Sequence, residues 1–233
     1  MMIPVAILAG GLATRLQSIT EHTPKVLVEV DGQPFATHQI ELLKRQGLTH
    51  LVFCVGHLGQ RVQESLGDGS RWSIQIDYSF DGEKLMGTGG AVRKALPVLG
   101  EAFFVLYGDA YLQCDYNGVE MFFRQSGKAG VMTVFRNANQ WDTSNVNFRE
   151  GCIVSYDKHH PTPDMQHIDY GLGLLRASVF ENYPLNEPLD LATIYQDLVI
   201  RDQLAGFEVS QRFYEIGSPA GLEETRRYFA AQT

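Results

Sequence analysis

Short apolar runs alternate with helical patterns through the first half of this chain, and this alternation is what most constrains the fold. The apolar runs are residues 3–8, 50–55, 74–80 and 102–108. The helical patterns between them are residues 34–46, 59–67 and roughly 89–99. Repeated strand–helix–strand units form right-handed crossovers, which build a mostly parallel sheet covered by helices on both faces.

The second half is less regular. Residues 131–136, 152–156 and 168–176 predict strands of a mixed or antiparallel portion, and residues 189–203 and 219–231 predict helices. No repeat, low-complexity tract or linker divides the chain. We therefore expect one domain over 1–233, of the α/β class, with a Rossmann-like three-layer α/β/α arrangement and a mostly parallel, mixed central sheet. Its halves are 1–115 and 116–233.

Composition excludes several function classes. The 233-residue chain carries a net charge of −8, which opposes non-specific binding to nucleic acid or to an anionic membrane surface. Its three cysteines are far apart and form no zinc or disulfide pattern, and Cys54 lies in an apolar run as expected of buried packing. No apolar run approaches the roughly 20 residues of a membrane span, and the N-terminus resembles a first strand more than a signal peptide. These features predict a cytoplasmic protein.

Residues 8–25, LAGGLATRLQSITEHTPK, carry the strongest chemical signal. A strand ends at Gly10 and Gly11, where backbone N–H groups can approach a polyanion closely. Arg15 and Lys25 follow, and two cations beside a glycine loop suit a triphosphate whose charge builds up during transfer. A tight strand-to-helix turn with solvated cations remains the alternative. The Walker and GxGxxG patterns are both absent, which disfavours a P-loop NTPase or a dehydrogenase.

LAGGLATRL followed by TPKVLVEVDGQPF resembles the signature of the sugar-phosphate nucleotidyltransferases. The family pattern is GGxGTRL, and Ala13 stands where its third glycine is usual. The resemblance implies that Leu8, Ala9, Gly10 and Gly11 hold the nucleotide. It also implies that Arg15 faces the leaving phosphates and that Lys25 bridges phosphate oxygens at the reacting centre.

Further segments resemble the same family in order along residues 3 to about 222. LMGTGGAV resembles its LGTAGA loop, which implies that Gly87 and Thr88 contact the base or ribose; Thr88 also suits the N-cap of the next helix. LYGDAY resembles the strand end whose aspartate, here Asp109, binds magnesium. FYEIGSP resembles a late D-x-G-T/S-P segment, where Glu215 replaces the aspartate that is the second magnesium ligand.

The same resemblance implies which residues bind the sugar phosphate. SYDKHHP resembles the segment EEKP, which assigns Lys158 to the phosphate of the sugar phosphate and Asp157 to sugar hydroxyls. IDYGLGLLR resembles a strand whose backbone turn at Gly171 borders the sugar pocket. His159 and His160 are expected to be solvated loop residues.

The implied reaction transfers NMP from an NTP to a sugar 1-phosphate and releases pyrophosphate, with Mg²⁺ as the cofactor. The opening and the GTGGA loop look most like the heptose- and mannose-1-phosphate guanylyltransferase branch, which implies GTP. A cytidylyl- or uridylyltransferase acting on another sugar or alcohol phosphate is an alternative, as is a non-catalytic nucleotide-sugar sensor. Residues 1–115 would bind the nucleotide and 116–233 the sugar phosphate. Whether the chain forms a homo-oligomer is left open.

Overall fold

The computed structural model of the chain describes residues 3–11, 22–82, 84–185 and 187–232. The strands are β1 (Val5–Leu8), β2 (Glu29–Val30), β3 (Gln33–Pro34), β4 (His50–Val55), β5 (Gln75–Phe80), β6 (Ala102–Tyr107), β7 (Ala110–Tyr111), β8 (Gly130–Arg136), β9 (Val146–Arg149), β10 (Cys152–Tyr156), β11 (His167–Arg176), β12 (Leu204–Val209) and β13 (Tyr214–Glu215). The α-helices are α1 (Phe35–Arg45), α2 (Gly59–Leu66), α3 (Gly87–Leu99), α4 (Tyr116–Ser126), α5 (Leu191–Ile200) and α6 (Pro219–Ala230). Short 3-10 helices span Lys25–Leu27, Ser70–Trp72 and Ala177–Phe180.

The central sheet is mixed, with a parallel group of strands around β1. β1 lies between β4 and β6 and is parallel to both, and β5 continues parallel beyond β4. On the other side β11 is antiparallel to β6 and β8, while β12 runs parallel to β8. The β9–β10 hairpin joins the sheet through β11. The predicted α/β class and mixed sheet are therefore confirmed.

Helices cover both faces of this sheet. Val5 and Ile7 of β1 pack with buried residues of α1, α2 and α4. Ala6, between them, packs with buried residues of α3 and α5 on the opposite face. Successive strand residues point to opposite faces, so a strand buried on both sides has to be continuously apolar. This explains why the run at residues 3–8 has no polar residue.

A smaller cluster attaches α6 to the edge of the structure near β7. It contains Val30, Tyr111, Ile216, Leu222 and Phe229, all at most 7% exposed. β13 pairs antiparallel with β7, with Glu215 opposite Ala110. This packing places the Glu215 backbone beside the strand end that carries Asp109.

Cys54 has the buried packing role that the sequence predicts. It is 1% exposed, and burial together with the nearby Asp81 charge raises its pKa to about 12. The thiol is therefore held protonated and is unsuited to nucleophilic chemistry. In the part of the chain that the structure describes, none of the helices has the length and apolar character needed to cross a bilayer.

Candidate active site

The carboxyl ends of β1, β5 and β6 meet at a cleft of about 230 Å³. Ligands of open α/β sheets bind at this edge. The lining residues are Leu8, Ala9, Gly10, Gly11, Lys25, Val26, Asp81, Leu85, Gly87, Thr88, Ala91, Tyr107, Gly108 and Asp109. The cleft thus brings together all the described residues that the sequence assigned to the nucleotide, together with Lys25 and Asp109.

Lys25 and Asp109 form an ion pair at the β6 end of the cleft. Lys25 begins the 3-10 helix that follows Pro24, and its Nζ donates to Asp109 Oδ2 at 2.9 Å. The two side chains are 19% and 29% exposed, so both remain accessible from the cleft. The Ile216 N–H donates to the Asp109 carbonyl at 2.9 Å, which ties this strand end to β13. A cation and a carboxylate therefore stand together where the strands end.

Glycines allow the strand ends to approach one another closely. A Cβ at Gly108 would lie 2.6 Å from Leu8 O, and one at Gly10 would lie 3.1 Å from Gly56 N. At Gly11 no described atom lies within 4 Å of the Cβ position. The backbone at Gly11 is therefore open to close approach by a ligand, as the glycine loop predicts.

The start of α3 is joined to the start of α5. Gly87 has a φ of +71°, and a Cβ there would meet Leu189 O at 2.6 Å, so the position requires glycine. The Thr88 hydroxyl donates to Asp190 Oδ1 at 3.0 Å and accepts from Leu191 N at 2.8 Å. The N-cap of α3 is Met86, so the expectation that Thr88 caps this helix is wrong. Thr88 instead joins two helix N-termini.

Lys158 extends from the second half of the chain to the cleft. Its Nζ donates to Tyr107 Oη at 2.7 Å and lies 4.8 Å from the centre of the Tyr107 ring. Tyr107 itself lines the cleft, and burial raises its pKa well above the usual value. The phenol is therefore neutral and free to accept a hydrogen bond from the ammonium. This contact connects the residues assigned to the two substrates.

Asp157 stabilises the bend after β10 in which Lys158 lies. Its Oδ1 accepts from His159 N at 2.8 Å and from His160 N at 3.0 Å, and these hydrogen bonds lower its pKa. Both histidines are exposed, as expected of loop residues. The Oδ1 atom of Asp157 is therefore already engaged by neighbouring backbone N–H groups.

Gly171 lies against Tyr107, at an irregularity in the pairing of β11 with β8. Its φ is +96°, and a Cβ there would lie 3.3 Å from Tyr107 Cδ2. The neighbouring Asp169 was not singled out by the sequence. It accepts from Gly171 N at 3.0 Å and from Tyr156 Oη at 3.3 Å. Burial raises its pKa, and the charge of Lys158 opposes that rise. Asp169 therefore belongs to the same polar group as Lys158.

Asp81 lines the cleft and was likewise not singled out by the sequence. It directly follows β5 and is 8% exposed, and its Oδ2 accepts from Met86 N at 3.2 Å. Burial raises its pKa, although the Met86 hydrogen bond and the charge of Lys94 act in the opposite direction. The signal available in the sequence was a carboxylate directly after an apolar strand, at the sheet edge where ligands bind.

Glu215 holds the N-terminus of α6. Its carboxylate accepts from the backbone N–H groups of Gly217 and Ser218, and from the Ser218 hydroxyl at 2.6 Å. The Ser218 hydroxyl in turn accepts from Gly221 N, the usual N-cap bond. The Glu215 backbone lies beside β7, but its carboxylate is engaged with the helix. Its assignment as a second metal ligand stays a prediction.

Two sequence positions lie outside the described residues: Arg15 and Ala13. Their predicted roles are therefore not addressed by the structure. Among the described residues, no group of three or more His, Cys, Asp or Glu side chains could hold a metal ion. A site formed by one carboxylate and the substrate phosphates, as Mg²⁺ commonly uses, would not form such a group.

Comparison with known proteins agrees with this geometry. The model of the family described as "Nucleotidyl transferase" matches residues 5–145, more than half of the chain. A D-glycero-alpha-D-manno-heptose 1-phosphate guanylyltransferase from Campylobacter jejuni is 27% identical over 216 residues, covering 91% of this chain and 94% of the relative. An N-acetylmuramate alpha-1-phosphate uridylyltransferase from Neisseria meningitidis is 24% identical over 237 residues, covering 94% and 95%.

Among solved structures, HddC from Yersinia pseudotuberculosis complexed with GMP-PN superposes with a TM-score of 0.78. It is 22% identical, and the match covers 98% of this chain and 100% of that one, so the two share a fold. Together with the family match and the cleft described above, these likenesses show that the chain belongs to the nucleotidyl transferase family, as one of its sugar-1-phosphate nucleotidyltransferases.

Proposed function

We propose that the chain transfers the NMP unit of an NTP to a sugar 1-phosphate and releases pyrophosphate. The proposed nucleotide is GTP, and the proposed acceptor is a heptose- or mannose-type sugar 1-phosphate. The observation that carries the proposal is the Lys25–Asp109 pair in a glycine-lined cleft that Lys158 also reaches through Tyr107. One cation in the cleft and a second one bonded to a cleft-lining tyrosine suit two phosphorylated substrates that must react with each other.

The chemistry needs no general base. A sugar 1-phosphate is largely ionised at neutral pH, so one of its oxygens can attack the α-phosphorus directly while pyrophosphate leaves. The protein then has to align the reactants and offset the charge that develops on the leaving group. We assign the second task to Lys25 and Arg15, and the orientation of the attacking phosphate to Lys158. Asp157 and Gly171 would border the sugar.

The open backbone at Gly11 and the positive-φ turn at Gly87 suit the nucleotide. Leu8, Ala9 and Gly10 would border it from β1, and Thr88 from the start of α3. Residues 1–115 would thus bind the NTP and 116–233 the sugar phosphate, within one domain. We further expect a cytoplasmic enzyme, with no nucleic-acid or membrane partner.

A magnesium ion fits this site through Asp109. Hard Mg²⁺ takes oxygen ligands and is commonly held by one or two carboxylates and the substrate phosphates, whose charge it offsets when bound. Asp109 is 29% exposed beside Lys25, so its carboxylate is accessible from the cleft. The Glu215 carboxylate already accepts three hydrogen bonds from residues 217 and 218, so a metal ion would have to compete with these donors for it. Asp109 is therefore the ligand that we propose.

The guanine and sugar assignments rest on the relatives. The Campylobacter relative is named for a heptose phosphate and guanylyl transfer, and the Yersinia structure is described with GMP-PN. The Neisseria relative is named for uridylyl transfer, so UTP with a different sugar phosphate is the second candidate.

The test is a matrix of GTP, UTP, CTP, dTTP and ATP against several sugar 1-phosphates, scored by pyrophosphate release. The expected result is highest kcat/KM for GTP with a heptose or mannose 1-phosphate. Preference for UTP would move the assignment to the second candidate. Absence of turnover for every pair, with nucleotide binding retained, would favour a nucleotide-sugar sensor. An Asp109→Asn variant controls for contaminating activity.

A further inference from the structure

Gln39 of α1 holds the backbone of the strand end that carries Asp109. Its side chain is buried, with the residue 1% exposed, and its Nε2 donates to Ala110 O at 2.7 Å and to Tyr107 O at 3.2 Å. These two carbonyls lie on either side of Asp109 along the chain. Gln39 is not one of the residues that line the cleft, so it can influence a ligand there only through the backbone that it holds.

The chemistry of its neighbours determines which way the Gln39 amide points. Carbonyl oxygens only accept hydrogen bonds, so the NH₂ group and not the amide oxygen has to face Tyr107 and Ala110. The oxygen Oε1 is then buried without a hydrogen-bond donor from the described residues. A buried acceptor without a partner lowers stability, and an apolar side chain would avoid that cost. An amide at this position is therefore best explained by what its two N–H donors do.

Other bonds hold the same stretch of backbone from different directions. Gly108 N donates to Leu8 O at 3.0 Å, which ties the stretch to β1. Ile216 N donates to Asp109 O at 2.9 Å, which ties it to the chain after β13. Gln39 adds the connection to α1. The backbone on both sides of the Asp109 carboxylate is thus fixed to three separate elements.

The helix that carries Gln39 also holds the segment after Lys25. The preceding residue, His38, is 7% exposed, and its Nε2 donates to Val30 O at 2.8 Å. Val30 lies in β2, shortly after the 3-10 helix that Lys25 begins. Two consecutive side chains of α1 therefore connect the helix to the chain segments of both partners in the Lys25–Asp109 ion pair.

We propose that Gln39 is a positioning residue for the transfer reaction: its two N–H donors fix the backbone at residues 107 and 110 and so keep the Asp109 carboxylate directed at Lys25 in the cleft. A carboxylate held in this way needs little reorganisation when a metal ion and a triphosphate bind. Removing a group that orients a metal ligand typically costs about 10–100-fold in metal affinity or activity. The inference rests on the proposed transferase, in which Asp109 is the metal ligand.

The test compares Gln39→Met with Tyr116→Phe. Methionine has nearly the length of glutamine but no N–H donor. Tyr116 is a matched control because it is also 1% exposed and its hydroxyl donates to a main-chain carbonyl, Leu112 O, at 3.1 Å, outside the cleft. Both variants lose buried hydrogen bonds, but only Gln39→Met loses those on either side of Asp109. Gln39→Asn, whose amide is one methylene shorter, is the second variant in case the methionine variant does not fold.

Two kinds of measurement are made on each variant once a melting curve shows that it is folded. EPR of Mn²⁺, as the probe for Mg²⁺, gives the dissociation constant of the Mn²⁺–GTP complex, or of the complex with whichever NTP the substrate matrix selects. Pyrophosphate release gives kcat and the KM for the sugar 1-phosphate. A double variant, Gln39→Met with Asp109→Asn, is included in the binding measurement.

Gln39→Met should weaken Mn²⁺–GTP binding and lower kcat, each by about tenfold or more, while the KM for the sugar phosphate stays within about twofold of the wild type. Gln39→Asn should change the same two quantities in the same direction, and Tyr116→Phe should change neither. Because Gln39 acts through Asp109, the double variant should bind Mn²⁺–GTP no more weakly than Asp109→Asn alone.

Three outcomes would overturn the inference. The first is a folded Gln39→Met or Gln39→Asn variant that binds Mn²⁺–GTP and turns over as the wild type does. The second is an equal loss in Tyr116→Phe, which would make the effect a general consequence of weakened packing. The third is additivity of Gln39→Met and Asp109→Asn, which would show that Gln39 does not act through Asp109.

Failure of the proposed function has a different signature. If Gln39→Met weakens Mn²⁺–GTP binding only while Asp109 is present, but no sugar 1-phosphate supports pyrophosphate release, the positioning role stands and the transferase assignment falls. If the wild type turns over and Gln39→Met matches it in every measurement, the transferase stands and the positioning role falls.

Discussion

Lys25 donates a 2.9 Å hydrogen bond to Asp109, and this pair joins the segment after the glycine loop to the end of β6. The two charges offset each other while no substrate is present. An incoming triphosphate supplies anionic oxygens that can replace Asp109 as the partner of Lys25. In the proposed reaction, the ion pair would hold the ammonium close to where charge develops during transfer, at little reorganisation cost.

Lys25→Ala should lower kcat by about 10²–10³-fold and weaken NTP binding less than tenfold, because the ammonium acts on charge that appears mainly in the transition state. Pyrophosphate release gives kcat, and calorimetry gives the NTP dissociation constant. Lys44→Ala, at the exposed end of α1, is the matched control. An unchanged kcat with a proportionate loss of NTP affinity would make Lys25 a simple binding residue.

Lys158→Ala should raise the KM for the sugar phosphate about tenfold or more and leave the NTP dissociation constant nearly unchanged. The ammonium approaches the cleft from the second half of the chain and is oriented by Tyr107, so Tyr107→Phe should produce a smaller rise. Lys128→Ala, whose ammonium pairs with Asp202, removes a lysine that does not line the cleft. Loss of NTP affinity with an intact sugar-phosphate KM would reverse the assignment of the two pockets.

Much of the fold was predictable because buried parallel strands are short apolar runs with clear ends. The run at residues 3–8 stops at Gly10, and that at 102–108 leads into Asp109, so both the strands and the sheet edge could be read from the sequence. The glycine loop likewise indicated a phosphate site on chemical grounds. These features are determined by residues that are neighbours in the sequence, so they can be predicted without knowing the tertiary contacts.

What the sequence could not predict depends on contacts between distant residues. Thr88 suits an N-cap by its type, yet its hydroxyl bonds to Asp190, 102 positions later. Asp81 and Asp169 are ordinary acidic residues until the fold places Asp81 in the cleft and Asp169 beside Gly171 and Tyr156. Glu215 has the charge of a metal ligand, but Ser218 and the first turn of α6 determine where its carboxylate points. Side-chain direction is set by packing, which residue type alone does not specify.

Asp81→Asn should become increasingly stabilising relative to the wild type as the pH rises from about 4 to 7. Burial raises the pKa of Asp81 in the folded state, so folding favours its protonated form. Wild-type stability from this group is therefore fully present below the unfolded carboxyl pKa of about 4 and is lost as pH rises through the folded value. Asparagine has no such loss.

Melting temperatures of both proteins across this pH range measure the effect. Asp77→Asn, on the same strand, serves as the reference for removing a carboxylate from β5. A difference between Asp81→Asn and the wild type that stays constant with pH, or shrinks as pH rises, would contradict the prediction. The outcome measures how much stability the buried Asp81 carboxylate costs once it is ionised.

Glu215→Gln should lower the melting temperature without a large change in Mg²⁺ requirement. Its carboxylate accepts three hydrogen bonds from residues 217 and 218, and a neutral amide loses the charge assistance and part of the acceptor capacity. A loss of about 1–2 kcal/mol corresponds to a Tm decrease of roughly 2–8 °C in a chain of this length. Glu215→Asp should also be destabilised, because its shorter side chain cannot hold the same groups.

Activity measured against Mg²⁺ concentration then distinguishes the two roles of Glu215. At a temperature where each variant is folded, Glu215→Gln should reach half-maximal activity within threefold of the wild-type Mg²⁺ concentration. Asp109→Asn should lose at least 100-fold in turnover while melting close to the wild type, because its carboxylate lies in the cleft and bonds only to Lys25 among the described residues. If Glu215→Gln instead melts normally and needs far more Mg²⁺, its carboxylate leaves α6 for the metal, and the second-ligand prediction made from the sequence is correct.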